Sequence, residues 1–287
     1  MSLKDFLELI KVRILVSSLL TTFFGYAIAL PIHEWNGSDI FWCLLGSGFV
    51  FSAAAALNHV LESDFDQLMD RTKMRPLPTG RVLKSWVIVG VISFLLLGSV
   101  ILFLKSTGLV LINGLLVFLL YDFVYTPLKR YSSVNTLVGA IPGAMPLLSG
   151  WFVVHSSFSF IIVLLFLMLY LWQLPHFYSI AWIYRKSYED ANLKMISAND
   201  STGKRTQLYL GISSGFFVIS TYLPLLYNNL GGIYIYIITI MNLYLLMYVF
   251  KFIVNVDDKI AKKVLLVTIF YPPLIPIVYI LGKMIYG

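Results

Sequence analysis

The stretch NHVLESDFDQLMDRTKMRPLPTGR (58–81) interrupts an otherwise apolar sequence with four acidic and four basic side chains. It continues directly from the apolar run FVFSAAAAL (49–57). Ionisable residues near membrane depth are costly to keep there and usually have a function. This stretch therefore indicates where the chain leaves a membrane and where its chemistry lies.

Apolar segments long enough to cross a bilayer recur along the whole chain. Of its 287 residues, 59% are hydrophobic and 12% are charged, and the mean hydropathy is +0.84. A soluble domain has about 25% charged residues, so we predict an all-α, polytopic membrane protein with a single domain, 1–287. Nine transmembrane helices of about 20 residues are expected, at 12–31, 40–60, 86–105, 108–126, 135–154, 158–180, 207–227, 232–250 and 264–282.

The basic residues support this map, because 19 of the 21 fall on the N-terminal side of it. Only Lys105 and Lys283 fall on the other side. Cytoplasmic loops carry an excess of Lys and Arg, which predicts a cytoplasmic N-terminus in a cell inner membrane. The net charge of +7 is thereby assigned to the cytoplasmic face and not to nucleic acid. Two long cytoplasmic loops, about 64–85 and 184–206, are expected to carry the function.

An acid ladder follows the second span at a spacing of four residues, which places its members on one side of a helix. The ladder consists of Asn58, Glu62, Asp66 and Asp70. Carboxylates so close together repel one another unless they share a cation, and Mg²⁺ prefers oxygen ligands. A basic loop follows, and guanidinium groups bind phosphates well. The pattern predicts metal–diphosphate chemistry at the cytoplasmic face, and the alternative is a solvated helix with internal ion pairs.

Three stretches carry a family resemblance. Residues 58–81 resemble the first signature of the UbiA superfamily of membrane prenyltransferases, and YTPLKRYSSVNTLVGAIPGAMPLLSGW (125–151) is similar to its next signature. LWQLPHFYSIAWIYRKSYEDANLKM (171–195) favours the branch that modifies heme. The resemblance covers roughly residues 10–200. It implies transmembrane helices that surround a central cavity.

The resemblance also implies an activity: Mg²⁺-dependent transfer of the farnesyl group of farnesyl diphosphate to a vinyl group of heme b, which makes heme O. The catalytic positions of the family match Asn58, Asp66, Arg71, Arg75 and His176. The diphosphate would be bound by Arg71, Lys73, Arg75, Arg81, Lys129 and Arg130. The metal would be held by Asn58, Glu62 and Asp66, with Asp70, Glu189 and Asp190 as further candidates. The prenyl or heme pocket would include Tyr121, Tyr125, Trp172, Gln173 and His176.

Several of these residues also have simpler interpretations. Tyr121 and Tyr125 fit an interfacial aromatic belt, and Lys129 and Arg130 fit positive-inside anchors. His176 fits a histidine that is hydrogen-bonded inside a helix bundle. Ser187 stands where the family has an acid, which leaves open whether Glu189 and Asp190 replace it from a shifted register or are solvated.

Two other functions remain open. The same fold and metal site could serve another acceptor, such as an aromatic quinone precursor or a chlorin. A transporter for an anionic solute would instead use the acid ladder for cation coupling, but transporters place such sites near the midplane. The expected partners are farnesyl diphosphate, heme b and the lipid bilayer, with heme A synthase or terminal oxidase assembly factors as candidate protein partners and no nucleic acid.

Overall fold

The computed structural model describes residues 1–286, and within that range every regular element is helical and there is no strand. The all-α prediction is confirmed. The helices are α1 (Leu3–Leu9), α2 (Val12–Ala29), α3 (Gly37–Asp66), α4 (Lys84–Lys105), α5 (Gly108–Leu119), α6 (Thr126–Leu128), α7 (Asn135–Ala144), α8 (Pro146–Trp151), α9 (Phe160–Ile183), α10 (Arg185–Asp190), α11 (Lys204–Ser220), α12 (Gly231–Val254), α13 (Asp258–Ile269) and α14 (Tyr271–Tyr286). A π-helical turn, Leu120–Tyr125, joins α5 to α6.

Eight helical segments among residues 1–286 are each long and apolar enough to cross a membrane, one fewer than the nine predicted. The predicted span 135–154 consists of the short helices α7 and α8, separated only by Met145. Pro146 has no backbone N–H to donate, which removes one helical hydrogen bond at this point, while Met145 keeps helical angles, φ −61° and ψ −28°. The other predicted spans agree with the helices to within a few residues at most ends.

The first compact unit comprises Met1–Ser157 and Ser187–Leu193. Its helices α2 and α8 pack backbone against backbone at two glycines. A Cβ added to Gly150 would lie 1.8 Å from the Thr22 carbonyl oxygen, and one added to Gly25 would lie 1.9 Å from that of Leu147. Small residues at such crossings let transmembrane helices approach closely. In the same unit α3 packs along α4, α5 and α2.

The second unit comprises Phe158–Lys186 and the chain from Lys194 onward. Here α9 packs against α11 and α13, and α12 packs against α11, α13 and α14. Buried polar side chains tie these helices together: Asn242 donates to the Thr221 hydroxyl at 2.8 Å and accepts from Tyr271 at 3.0 Å. Buried polar groups are tolerated only when they are hydrogen-bonded, and these are. The single-domain prediction for the whole chain stays a prediction.

Candidate active site

Three members of the acid ladder lie on successive turns of α3. Asn58 and Asp66 are fully buried, and the Glu62 side chain is 14% exposed. The helix ends at Asp66, where the hydroxyl of Thr72 donates to the Asp66 carbonyl oxygen at 3.1 Å and so caps the helix from the following loop. Asp70 is therefore not on the helix, contrary to the predicted ladder. Its side chain is 86% exposed and pairs with Lys73 at 2.5 Å.

Two basic residues neutralise the buried carboxylates. Arg75 Nη1 donates to both oxygens of Asp66, at 2.7 and 2.8 Å, and lies 4.0 Å from Glu62 Oε2. Lys129 Nζ donates to Glu62 Oε1 at 2.5 Å. Burial lowers the pKa of Lys129, but the Glu62 carboxylate and the neighbouring tyrosines together raise it by more, so that pKa lies above its usual value.

Lys11 is a third cation at this cluster, and sequence reasoning did not single it out. It lies at the corner between α1 and α2 with a left-handed backbone, φ 49° and ψ 54°. Its ammonium donates to Asn58 Oδ1 and, at 3.1 Å, to the Tyr121 hydroxyl. Burial lowers the pKa of Lys11 to about 8, against the attraction of Glu62.

The π-helical turn supplies the aromatic wall of the cluster. The rings of Tyr121 and Tyr125 lie 5.5 Å apart, and Lys129 Nζ lies 4.3 Å from the centre of the Tyr125 ring. Thr126 anchors the turn: its hydroxyl donates to the Tyr121 carbonyl at 2.9 Å and accepts from Asn58 at 2.8 Å. π-Turns often occur at functional sites. Both tyrosines therefore lie at the charged cluster, and their role in a prenyl pocket stays a prediction.

The remaining predicted phosphate-binding residues have other partners. Arg81 donates to Asp5 at 3.0 Å and ties its loop to α1. The guanidinium of Arg130 lies 4.1 Å from the centre of the Phe65 ring, and Lys73 pairs with Asp70. Among the six predicted cations, Arg75 and Lys129 contact the buried carboxylates of α3.

The segment Ser187–Leu193 belongs to the first unit, and its buried residues are Tyr188, Ala191 and Leu193. Burial raises the pKa of Tyr188, while Arg71 and Lys129 act to lower it. Glu189 and Asp190 are exposed. The structure thus brings Tyr188 into the electrostatic field of the basic residues, and the two acids stay candidates for a second metal site.

In the second unit His176 Nδ1 lies 2.9 Å from the Thr268 hydroxyl. That hydroxyl also lies 2.7 Å from the Leu265 carbonyl oxygen, to which it can donate. The arrangement fits a proton on Nδ1 and a free lone pair on Nε2. Trp172 stacks on the imidazole at 5.3 Å and donates to the Thr268 carbonyl at 2.7 Å.

Gln173, predicted for the same pocket, is buried. Its amide donates to the Leu169 carbonyl of its own helix at 3.1 Å. The structure therefore gives His176 and Trp172 a shared anchor in Thr268, and it gives Gln173 a local bond within α9.

The oxygen donors of α3 fit a magnesium ion that is bound together with a diphosphate. Arg75 shows that one cationic group can face Asp66 and Glu62 at once, at 2.7 and 4.0 Å. Among residues 1–286 there is no group of three or more His, Cys, Asp or Glu side chains that could form a metal cage. Mg²⁺ commonly takes one or two carboxylates and fills its other positions with phosphate oxygens and water.

Two residues of the cluster were missed for different reasons. Lys11 meets Asn58 across 47 positions of sequence, which no local pattern reveals, and it was read only as a topology signal. Asp122 is different: it is an acid within the apolar run GLLVFLLYDFVY (114–125). A charge inside a span is a candidate for function by default, so Asp122 could have been identified from the sequence.

Comparisons with known proteins agree with this geometry. Residues 18–271 match the model of the UbiA prenyltransferase family. The chain is 33% identical to the protoheme IX farnesyltransferase of Flavobacterium psychrophilum, over 97% of this chain and 94% of that protein. It is 34% identical to the protoheme IX farnesyltransferase of Opitutus terrae, over 94% and 92%.

Solved structures share the fold at lower identity. A UbiA homolog from Archaeoglobus fulgidus, bound to DMAPP and Mg²⁺, matches with a TM-score of 0.72 and 17% identity, over 98% of this chain and 99% of that chain. A digeranylgeranylglyceryl phosphate synthase matches with a TM-score of 0.76 and 17% identity, over 98% of each chain.

Proposed function

The chain belongs to the UbiA prenyltransferase family and is a prenyltransferase, and on that premise we propose that it farnesylates heme b. The farnesyl group of farnesyl diphosphate would be transferred to a vinyl group of heme b, giving heme O, as the name of its curated relatives suggests. The observation that carries the proposal is the buried cluster in which Asn58, Glu62 and Asp66 face Arg75 and Lys129.

This cluster suits the departure of a diphosphate. Asn58, Glu62 and Asp66 would hold Mg²⁺, which when bound offsets the negative charge that develops on the leaving group. Arg75 and Lys129 would donate to the phosphate oxygens. Fixed charges directed at developing charge are usually the largest single contribution to catalysis. The bound homolog with DMAPP and Mg²⁺ has the same fold, which makes such a ligand set reasonable here.

The allylic C–O bond breaks with its electron pair on the diphosphate, and the farnesyl cation remains. The rings of Tyr121 and Tyr125 could stabilise this cation with their faces. The vinyl group of heme b supplies the electrons for the new C–C bond. Water then adds to the resulting carbocation and loses a proton, which leaves a hydroxyethylfarnesyl substituent.

Heme is favoured as the acceptor by the state of His176. An imidazole protonated on Nδ1 presents its Nε2 lone pair, and neutral histidine is a common ligand of heme iron. Metal-binding histidines typically donate their other nitrogen to a fixed acceptor, which is the relation of His176 to Thr268. An aromatic acceptor without a metal would have no use for this arrangement.

The chain is a multi-pass membrane protein, and we propose that it lies in the cytoplasmic membrane with its N-terminus and its diphosphate site on the cytoplasmic side. The partition of Lys and Arg supports this orientation. A heme A synthase or a terminal oxidase assembly factor as a partner stays a prediction.

The test uses purified protein in detergent with farnesyl diphosphate and Mg²⁺, offered heme b and 4-hydroxybenzoate side by side. We expect heme O by mass spectrometry and no prenylated benzoate. Asp66→Asn should abolish product formation, whereas Asp64→Asn, on the same helix but 75% exposed, should not. Wild-type turnover by Asp66→Asn, or prenylation of the benzoate alone, would contradict the proposal.

A further inference from the structure

Asp122 is a buried charge that the proposed reaction does not use. It lies in the π-helical turn and is fully buried. Neither of its carboxylate oxygens has a hydrogen-bond partner among residues 1–286. An unpaired carboxylate in a dry interior is expensive, and such a group in a native protein calls for an explanation such as a bound ion or a functional role.

Lys11 is the charge that attracts Asp122 most strongly, ahead of Lys129. Its ammonium has three N–H donors, and two of them are engaged, with Asn58 and Tyr121. Tyr121 is the sequence neighbour of Asp122, so Lys11 already reaches the turn that carries the unpaired carboxylate.

Lys11 occupies the oxygen that the proposed metal site requires. Asn58 has one side-chain oxygen, Oδ1, and the ammonium of Lys11 donates to it. The amide nitrogen of Asn58 is held by Thr126 at 2.8 Å, so the amide cannot simply rotate to offer another oxygen. Oδ1 has two lone pairs, but a divalent cation on one of them would lie next to the Lys11 ammonium on the other, and two cations so close repel each other. Binding of a cation at Asn58 therefore favours departure of Lys11.

We propose that Asp122 is a positioning residue that receives the ammonium of Lys11 when Asn58 turns to a divalent cation. This inference rests on the proposed function, because it takes Asn58 as a metal ligand. In the metal-free protein Lys11 fills the cation position at Asn58. With metal and diphosphate bound, Lys11 pairs with Asp122 and stays inside the site as a positive charge. By accepting the ammonium, Asp122 lowers the free energy needed to move Lys11 away from Asn58 Oδ1.

The exchange predicts an interaction between two substitutions. Without Asp122, Lys11 has no carboxylate in the π-helical turn to move to and competes with metal for Asn58, so Asp122→Asn should weaken Mn²⁺ binding about 10-fold or more, the range for residues that orient a metal ligand. In a Lys11→Met background the competition is absent. There Asp122→Asn should change Mn²⁺ affinity by less than about twofold.

The experiment titrates Mn²⁺ into each purified full-length variant with inorganic pyrophosphate present and follows free Mn²⁺ by electron paramagnetic resonance. Equal weakening in both backgrounds would make Asp122 itself a metal ligand and overturn the exchange. No weakening in the wild-type background would also overturn it. Asp66→Asn tests the metal site separately. If this variant still binds Mn²⁺ normally, the proposed metal site is wrong, and the exchange that depends on it is wrong as well.

Thermal unfolding without metal distinguishes the proposed exchange from a purely structural role of Asp122. Because its carboxylate makes no hydrogen bond, Asp122→Asn should leave the metal-free unfolding midpoint unchanged or raise it. A lower midpoint together with weaker Mn²⁺ binding would mean that Asp122 supports the fold and would refute the proposal.

Discussion

Removing Arg75 should destabilise the protein, because its guanidinium donates to both carboxylate oxygens of the buried Asp66. Asp66 is 0% exposed and Arg75 is 17% exposed. Truncating one partner of a buried ion pair costs about 3–5 kcal/mol, since the other charge stays buried and unpaired. Glu62 loses only a contact of 4.0 Å and keeps Lys129 at 2.5 Å. For Arg75→Met we therefore expect the free energy of unfolding to fall by about 3–5 kcal/mol from the unpaired Asp66 alone.

The double variant Arg75→Met/Asp66→Asn distinguishes two contributions to the loss of stability: the unpaired Asp66 carboxylate and the lost packing of the Arg75 side chain. With no carboxylate left at position 66, more than half of the loss should be recovered, because the two effects are coupled through one contact. The measurement is the free energy of unfolding in mixed micelles of a mild detergent and a denaturing one. If Arg75→Met costs less than about 1 kcal/mol, the value of an exposed ion pair, then Asp66 is not a buried anion held by Arg75.

Two further substitutions probe the supports of the site. Thr268→Val removes the hydroxyl beside His176 Nδ1, so the tautomer of the imidazole is no longer fixed. Heme b should then bind about 10-fold more weakly in a titration followed by heme absorption. Unchanged heme binding would show that Thr268 does not fix the tautomer of His176. Gly139→Ala places a Cβ 2.5 Å from the Tyr125 ring and should cost about 1–3 kcal/mol by overpacking. Its control, Gly90→Ala, has open space around it and should leave the free energy of unfolding nearly unchanged.

Hydropathy predicts the helical segments of this chain well, because a span needs only length and apolar composition. The break between α7 and α8 is harder to predict. Pro142 lies inside α7 without ending it, whereas the helix stops just before Pro146. Which proline interrupts a membrane helix depends on how neighbouring helices satisfy the freed carbonyl groups, and the sequence does not contain that information.

The acid ladder could be predicted in part. The spacing of four continues from Asp66 to Asp70, yet α3 ends at Asp66 because Thr72 and Arg75 fold back onto it. Nor does a basic loop reveal which of its arginines will turn inward. Arg75 reaches Asp66, whereas Arg81 reaches Asp5 on α1, and the difference arises from contacts made far along the chain.

Counted as fully ionised, the three acids and three bases of the cluster balance in formal charge before any substrate arrives: Glu62, Asp66, Asp122, Lys11, Arg75 and Lys129. Charges in a poorly solvated site must be compensated locally. A diphosphate that enters alone brings excess negative charge, and a divalent cation alone brings excess positive charge. Each should therefore bind weakly by itself and strengthen the binding of the other by the same factor.

This coupling can be measured in both directions. Mn²⁺ affinity is determined with and without inorganic pyrophosphate, and pyrophosphate affinity with and without Mn²⁺, after correction for the complex that the two form in solution. We expect a common factor of about 5–150, the usual range of a coupling between sites. Lys129→Met removes one base and leaves the cluster more negative, so Mn²⁺ alone should then bind more tightly while the coupling falls. Tight Mn²⁺ binding to the unmodified protein without pyrophosphate would contradict the charge balance. It would mean that the acids bind a divalent cation strongly even though the buried basic side chains already neutralise them.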